Sequence, residues 1–462
     1  MTSGKIKSAI AACAFAMGLS AGSLVHAETL TDALISAYKH SNLLEQQRAL
    51  LRAADEDVVQ ARATLLPVIA FVGRGNFQSP ARPAGVKVDN WTATATLSAS
   101  LTVYDNGVTR YATDAAKETV LGLRAALLQV EQRVLSSAVQ AYMEMIRSAQ
   151  SVSLGQNNVR LITQELRAAR DRFEVGEVTR TDVAIAEARL AAARGNLAAA
   201  QGDLEIARET YKAVVGRYPG NLRWPSSPPI APRTENAAKA LAVRNHPSIE
   251  EAQRNVNAAE ALVMRAQSAI GPSVSTSSSV GFAEGFQSTF SAGVAVNVPI
   301  YSGGTLRSAL RKSMAQRDAS RAQLLQSVID VKLNVGTSWA NLAVAAARTE
   351  ASQRQVRASQ VAYEGVREEA KFGSRTTLDV LNAEQELLDA RSGLISAEVD
   401  QYNSLYSLLA SMGLLTSEKL NLGIVTYDPI EYYKYATTDD PLRVISPQGL
   451  RLDRLFRKLG KN

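Results

Sequence analysis

The sequence predicts a mainly α-helical chain with membrane β-strands, built from one helix–strand–strand–helix–helix module used twice. Three observations carry that prediction. A shift of 197 positions lays Arg172 to Arg194, RFEVGEVTRTDVAIAEARLAAAR, onto Glu369 to Arg391, EAKFGSRTTLDVLNAEQELLDAR. Gly176 then meets Gly373, Thr179 meets Thr376, Asp182 meets Asp379 and Glu187 meets Glu384. Upstream, Tyr104 and Gly107 of YDNG meet Tyr301 and Gly304 of YSGG, and downstream Gly216 meets Gly413, so the whole module is duplicated. Second, Trp91, Ala93, Ala95, Leu97, Ala99, Leu101 and Val103 alternate with Thr and Ser over thirteen residues, the period of a strand. Third, Val120, Leu123, Leu127, Val130, Val134, Ala138, Ala141 and Met145 alternate steps of three and four, the pattern of supercoiled helices.

Taken in order, residues 1–27 read as a secretory leader: Lys5 and Lys7, an apolar run from Ile10 to Leu19, and the small-residue exit Val25-His26-Ala27 before Glu28. The first repeat occupies 28–232. Thr29 to Leu66 carries apolar residues at helical spacing and stops at Pro67. A β-hairpin follows at about 68–104, its loop from Gln78 to Asp89 rich in proline. A helix over about 105–174 contains no proline and would extend roughly 100 Å. A tip turn at about 174–179 reverses it, Thr179 and Asp182 giving a capping-box signal, and a helix returns to Gly216. Tyr218 to Pro232 holds five prolines and reads as a linker. The second repeat, 233–416, has a helix from Glu235 to Ala269 and a hairpin at about 273–301, with strands Ser273 to Phe282 and Phe290 to Tyr301 around Glu284-Gly285. A long helix at about 303–371, a tip turn at about 372–376 and a return to Met412 complete it. Residues 417–462 read as a basic, partly disordered tail.

Charge and composition exclude several classes. Lys5 and Lys7 lie in the leader, and the last twenty residues hold six cations against Asp453, so a net charge of +7 leaves the body about neutral. That tail lacks interleaved aromatics, which argues against nucleic acid as a partner. The one cysteine, Cys13, lies in the leader, so the mature chain has no thiol chemistry. YSGG lacks the lysine of a phosphate loop, and no acid–base constellation recurs outside the turns, so neither an enzyme nor a cofactor is expected. His40 and His246 occupy matching positions; helix-start residues explain them better than a metal does.

Geometry adds a constraint. Strands of this length suit an outer-membrane crossing, which takes about ten residues, better than a hairpin arm of a soluble domain, usually about five or six, which stays as the second reading of the strand. Four strands cannot close a barrel, which needs about eight or more. An open edge in lipid would leave backbone groups unpaired at several kcal/mol each. If these are membrane strands, copies must combine: two would give eight strands, a barrel filled by its own side chains, and three would give twelve; small inward Thr and Ser suggest an open lumen and favour the homotrimer.

The duplicated turns Val175-Gly176 with Thr179 and Asp182, and Phe372-Gly373 with Arg375, Thr376 and Asp379, together with YDNG and YSGG, resemble the TolC family of outer-membrane channel-tunnels over Glu28 to about Tyr435. The resemblance implies a homotrimeric twelve-stranded β-barrel in outer-membrane lipid, continued by a long α-helical coiled-coil barrel in the periplasm. An equatorial belt would come from linker and tail. It implies a passive exit duct for type I secretion or multidrug efflux, joined by a periplasmic adaptor to an inner-membrane ABC or RND transporter. The adaptor would dock on Val175, Gly176, Thr179, Phe372, Gly373 and Thr376. In a periplasmic gate of Asp182, Arg375, Asp379 and Asn382, Arg375 would pair with Asp182 and Asp379 would line the narrowest ring. Asn382 stands where the best-known member has a second ring aspartate, and Ala370 where it has a gate tyrosine, so the entrance is expected to be less negative and less tightly latched. Three plainer readings stay beside these: Asp182 and Asp379 as helix-start residues, Arg375 as a solvated cation, and a periplasmic adaptor or coiled-coil scaffold in place of a duct.

Overall fold

The computed structural model describes residues 28–78, 90–225, 232, 234–283, 287–424, 426–430 and 432–433. The leader, most of the first hairpin loop, the Glu284-Gly285 loop, most of the proline-rich linker and the basic tail from 434 lie outside the described residues. The elements are α1 Leu30–His40, α2 Asn42–Ala63, β1 Val68–Gln78, β2 Asn90–Tyr104, α3 Val108–Glu174 and α4 Arg180–Val215. The second half repeats them as α5 Glu235–Asn245, α6 Pro247–Ser268, β3 Ser273–Ala283, β4 Gln287–Asn297, α7 Thr305–Lys371 and α8 Thr377–Ser411.

Three expectations change. The helix expected over Thr29 to Leu66 is two helices, because Ser41 leaves helical geometry and its hydroxyl accepts from Leu44 N. The helix expected over Glu235 to Ala269 breaks at His246, whose ring accepts from Ser248 N ahead of Pro247 at the first helical position. The last strand runs over Gln287–Asn297 and not Phe290 to Tyr301. Pro299 has no N–H to give a ladder, and Ile300 is left almost wholly exposed.

The described residues fall into two compact units. Of these, one draws on 28–40, 137–225 and 345–403, the other on those between 41 and 136, between 232 and 344, and between 404 and 433. The second unit holds a single antiparallel sheet of order β1-β2-β3-β4. Its register sets Phe71 beside Leu97, Leu97 beside Val280 and Val280 beside Phe290, one apolar row across all four strands. One residue along, Ala70, Ser98, Ser279 and Ser291 form a small, mostly polar row on the opposite face. Phe71, Leu97 and Phe290 are exposed, as are Ile69, Val103 and Val294. Such an apolar face needs lipid or another chain against it. β1 and β4 are the sheet's edges and pair on one side only. The same unit packs Tyr427 and Tyr433 against Leu51, Ala54, Val58 and Val120, so the early part of the C-terminal segment is seated.

In the first unit, α1 lies on α4, where Ser36 Oγ donates to the Val215 carbonyl at 2.9 Å. Glu28 is locked nearby. Its carboxylate accepts from Tyr211 Oη at 2.6 Å, Arg217 Nη2 at 2.7 Å and Gly220 N at 2.9 Å. Its own N–H donates to Asn221 O, and its carbonyl accepts from Arg223 N and Tyr142 Oη. Bonds to a buried charge are worth about 1.5–3 kcal/mol, and an amide there would face three donors with half its acceptors gone. Glu28→Gln is expected to cost about 2 kcal/mol; a denaturant melt within experimental error of the native chain would show that the lock contributes nothing.

The matching histidines have a structural role in each repeat. Gly216 and Gly413 end α4 and α8 with φ of 88° and 75°. A Cβ on Gly216 would lie 2.4 Å from His40 Cγ, and one on Gly413 would lie 2.9 Å from Asn245 O and 3.0 Å from His246 Cα. Each histidine segment therefore closes on a glycine that must be bare and left-handed.

Candidate tip site at the helical turns

Both turns are built from the same two devices. Gly176 N donates to Phe173 O and Glu177 N to Arg172 O; Gly373 N donates to Ala370 O and Ser374 N to Glu369 O. This is a Schellman end with glycine at positive φ, 80° and 75°. Nothing lies within 4 Å of a Cβ at either glycine, so the backbone angle and not crowding within the chain requires them. Three residues on, Thr179 N and Oγ1 donate to Asp182 Oδ2 at 2.9 and 2.7 Å, and Asp182 N returns a bond to Thr179 Oγ1. Thr376 and Asp379 repeat this at 3.0 and 2.9 Å. The threonine hydroxyl and N–H hold the Asp182 carboxyl below the usual range; the Thr376 N–H and hydroxyl do the same for Asp379. The helix-start reading of both aspartates is thus what the chain itself displays.

The pairing of Arg375 with Asp182 does not form within the chain. Arg375 Nε donates to Glu369 Oε2 at 2.8 Å, six residues back across its own turn, while Asp182 is engaged by Thr179. Asn382 accepts from Arg189 Nη2 at 3.0 Å, a link between α8 and α4. Ala370 is buried with Tyr363, Val380 and Leu387 and joins the packing of α7 on α8. Val175 and Phe372, each just before its glycine, are 72% and 86% exposed. Between the turns runs an open groove of about 790 Å³, lined by Arg172, Glu177, Asp182, Phe372, Arg375 and Thr376 among others. Glu369 and Arg189 were missed from sequence: one hides in a helix end full of charges, the other meets its partner across 193 residues.

A family model described as outer membrane efflux protein matches residues 34–217 and 240–414, once in each repeat. The chain belongs to the outer membrane efflux protein family. It is 35% identical to the outer membrane efflux protein BepC of Brucella suis biovar 1 (strain 1330), covering 93% of this chain and 94% of that one. It is 23% identical to the outer membrane protein TolC of Escherichia coli (strain K12), covering 86% and 85%. The structure is similar to crystal structures of CusC at a TM-score of 0.73 and 18% identity, covering 83% of this chain and 91% of that chain. This efflux-family chain therefore has the TolC-type channel fold and an outer-membrane location, and its class is the exit duct of efflux or type I secretion. The adaptor and scaffold reading falls with that membership. Among the described residues no three or more His, Cys, Asp and Glu converge as a metal site, and no helix is long and apolar enough to cross a membrane.

Proposed function

We propose that three copies close one twelve-stranded barrel in the outer membrane and form a passive duct for multidrug efflux. The helical hairpins extend into the periplasm, where an adaptor and an inner-membrane transporter of the ABC or RND class complete the assembly. The observation that carries this reading is the four-stranded sheet: apolar on one face, small and mostly polar on the other, open at both edges. A sheet with unpaired edges is not stable in lipid, and cyclic repetition removes every edge. BepC being an outer membrane efflux protein supports efflux over protein secretion.

The adaptor docks at the two turns, through Val175, Gly176, Thr179, Phe372, Gly373 and Thr376. Exposed Val175 and Phe372 supply apolar anchors, and the bare glycines allow close backbone approach. The entrance is ringed by Asp182, Arg375, Asp379 and Asn382. In three copies Asp379 would add one carboxylate per chain, offset by Arg375, with Asn382 neutral. The test is direct. Detergent-extracted protein should have the mass of three chains and conduct ions in a planar bilayer, and its deletion should sensitise cells to several drugs. A detergent-independent monomer that does not conduct would overturn the duct.

A further inference from the structure

The repeat offers an internal comparison. Arg170 and Glu187 of the first hairpin correspond, at the 197-residue shift, to Arg367 and Glu384 of the second. In the first hairpin the pair is made: Arg170 Nη2 donates to Glu187 Oε1 at 2.6 Å, in the open. In the second it is not. Arg367 turns instead toward Glu165 of α3, with Nε 3.8 Å from Oε1. Glu384 is left 4% exposed, and neither of its carboxyl oxygens has a hydrogen-bond partner.

Its position in the packing gives this orphan its significance. Glu384 lies one turn beyond Val380 and Leu381 on α8 and one turn before Leu387. Leu381 packs into the cluster of α3 and α4 with Ile162, Leu166, Ala186 and Leu190. Val380 and Leu387 pack against α7 with Tyr363 and Ala370. The carboxyl therefore sits in the apolar seam where α8 joins the first hairpin to the second. The groups facing it are Glu165 from α3 and Arg367 and Tyr363 from α7; Arg391, on its own helix, is drawn to Gln360 Oε1 at 2.6 Å. The Tyr363 hydroxyl is buried without a partner too.

We propose that Glu384 is a proton-controlled joint between the two helical hairpins: neutral, it lets α8 seat against both; ionised, it repels Glu165, draws in water and loosens the seam. Burial first, and then the Glu165 charge, push its carboxyl up to about 7, with Arg367 pulling the other way. The sign follows from linkage. A raised acid stabilises the packed form below its ordinary value, and that contribution is lost as pH climbs to about 7. The hairpins are thus firmest in acid and most easily parted near neutrality.

The test is amide hydrogen exchange of the purified full-length protein at about pH 5 and about pH 8, corrected for intrinsic chemistry. Native α8 around 380–388 and α7 around 360–370 should exchange at least about tenfold faster at the higher pH. Glu384→Gln and Glu384→Leu should both stay at the slow rate throughout. Glu187→Gln, at the exposed equivalent, should keep the native difference. Equal exchange in the native protein at both pH values, or an unchanged difference in both Glu384 variants, would overturn the joint.

Discussion

Leu97→Arg should prevent assembly in the outer membrane. Leu97 lies mid-way along β2, in the apolar row with Phe71, Val280 and Phe290, and is exposed. A cationic side chain on the lipid face of a barrel costs about 2–4 kcal/mol at the bilayer midplane. Three copies would each carry that cost, which together rivals the whole stability of an ordinary domain, about 5–15 kcal/mol. The variant should appear as degraded or periplasmic material with no heat-resistant trimer. Ser98→Arg is the matched control, because adjacent residues of a strand face opposite sides. It should assemble and alter conductance. Normal assembly of Leu97→Arg beside failure of Ser98→Arg would mean that the two faces of the sheet have been exchanged.

What could be read from the sequence, and what could not, follows from the range of the physics. β2 was legible because one face is Thr or Ser at every position from Thr92 to Thr102, so alternation survives over nearly its whole length. β3 is plainer, with Ser273, Ser275, Ser277 and Ser279 on one face and Thr276 and Ser278 on the other, and only the repeat revealed it as a partner. The tips were legible because Gly176 with Thr179, and Gly373 with Thr376, are local codes for stopping one helix and starting the next. The break at Ser41 was not, because apolar spacing runs on across it and a cap needs only one side chain; the helix-start reading fits His246, which caps α6, but His40 ends α1 and Ser41 is the cap there. The strand end at Asn297 was masked by Val298 and Ile300, which continue the alternation while Pro299 forbids the ladder.

Side-chain partners were the least accessible. Arg375 had several carboxylates within reach, and sequence spacing does not rank Glu369 above Asp182. The duplicated Arg170–Glu187 and Arg367–Glu384 spacing even misleads, since identical spacing gives an exposed ion pair in one hairpin and an orphaned buried acid in the other. What differs is the neighbour on α3, Glu165, and that is set by tertiary packing alone. The same applies to Gly216 and Gly413, whose need to be bare comes from His40 in one unit and from the Asn245-His246 backbone in the other.

Gly176→Trp combined with Gly373→Trp should reduce export to the level of a deletion strain while leaving trimer and outer-membrane content intact. At both glycines a Cβ meets nothing of the chain, so an indole can project outward without displacing its own neighbours. The strain is confined to the backbone: a left-handed non-glycine residue costs about 1–2 kcal/mol. Each turn is held on both sides, by the Schellman bonds before it and the capping box after it, so the hairpin should absorb that cost locally. What the indoles block is any partner that approaches the bare glycines beside Val175 and Phe372. Gly176→Asn with Gly373→Asn separates the causes, since asparagine tolerates positive φ and adds little bulk. The asparagine pair should retain export. Loss of export in both pairs would trace the effect to strained turns. Full export with both indoles present would mean that no partner docks on these tips, and the adaptor-facing role assigned to Val175, Gly176, Phe372 and Gly373 would have to be given up.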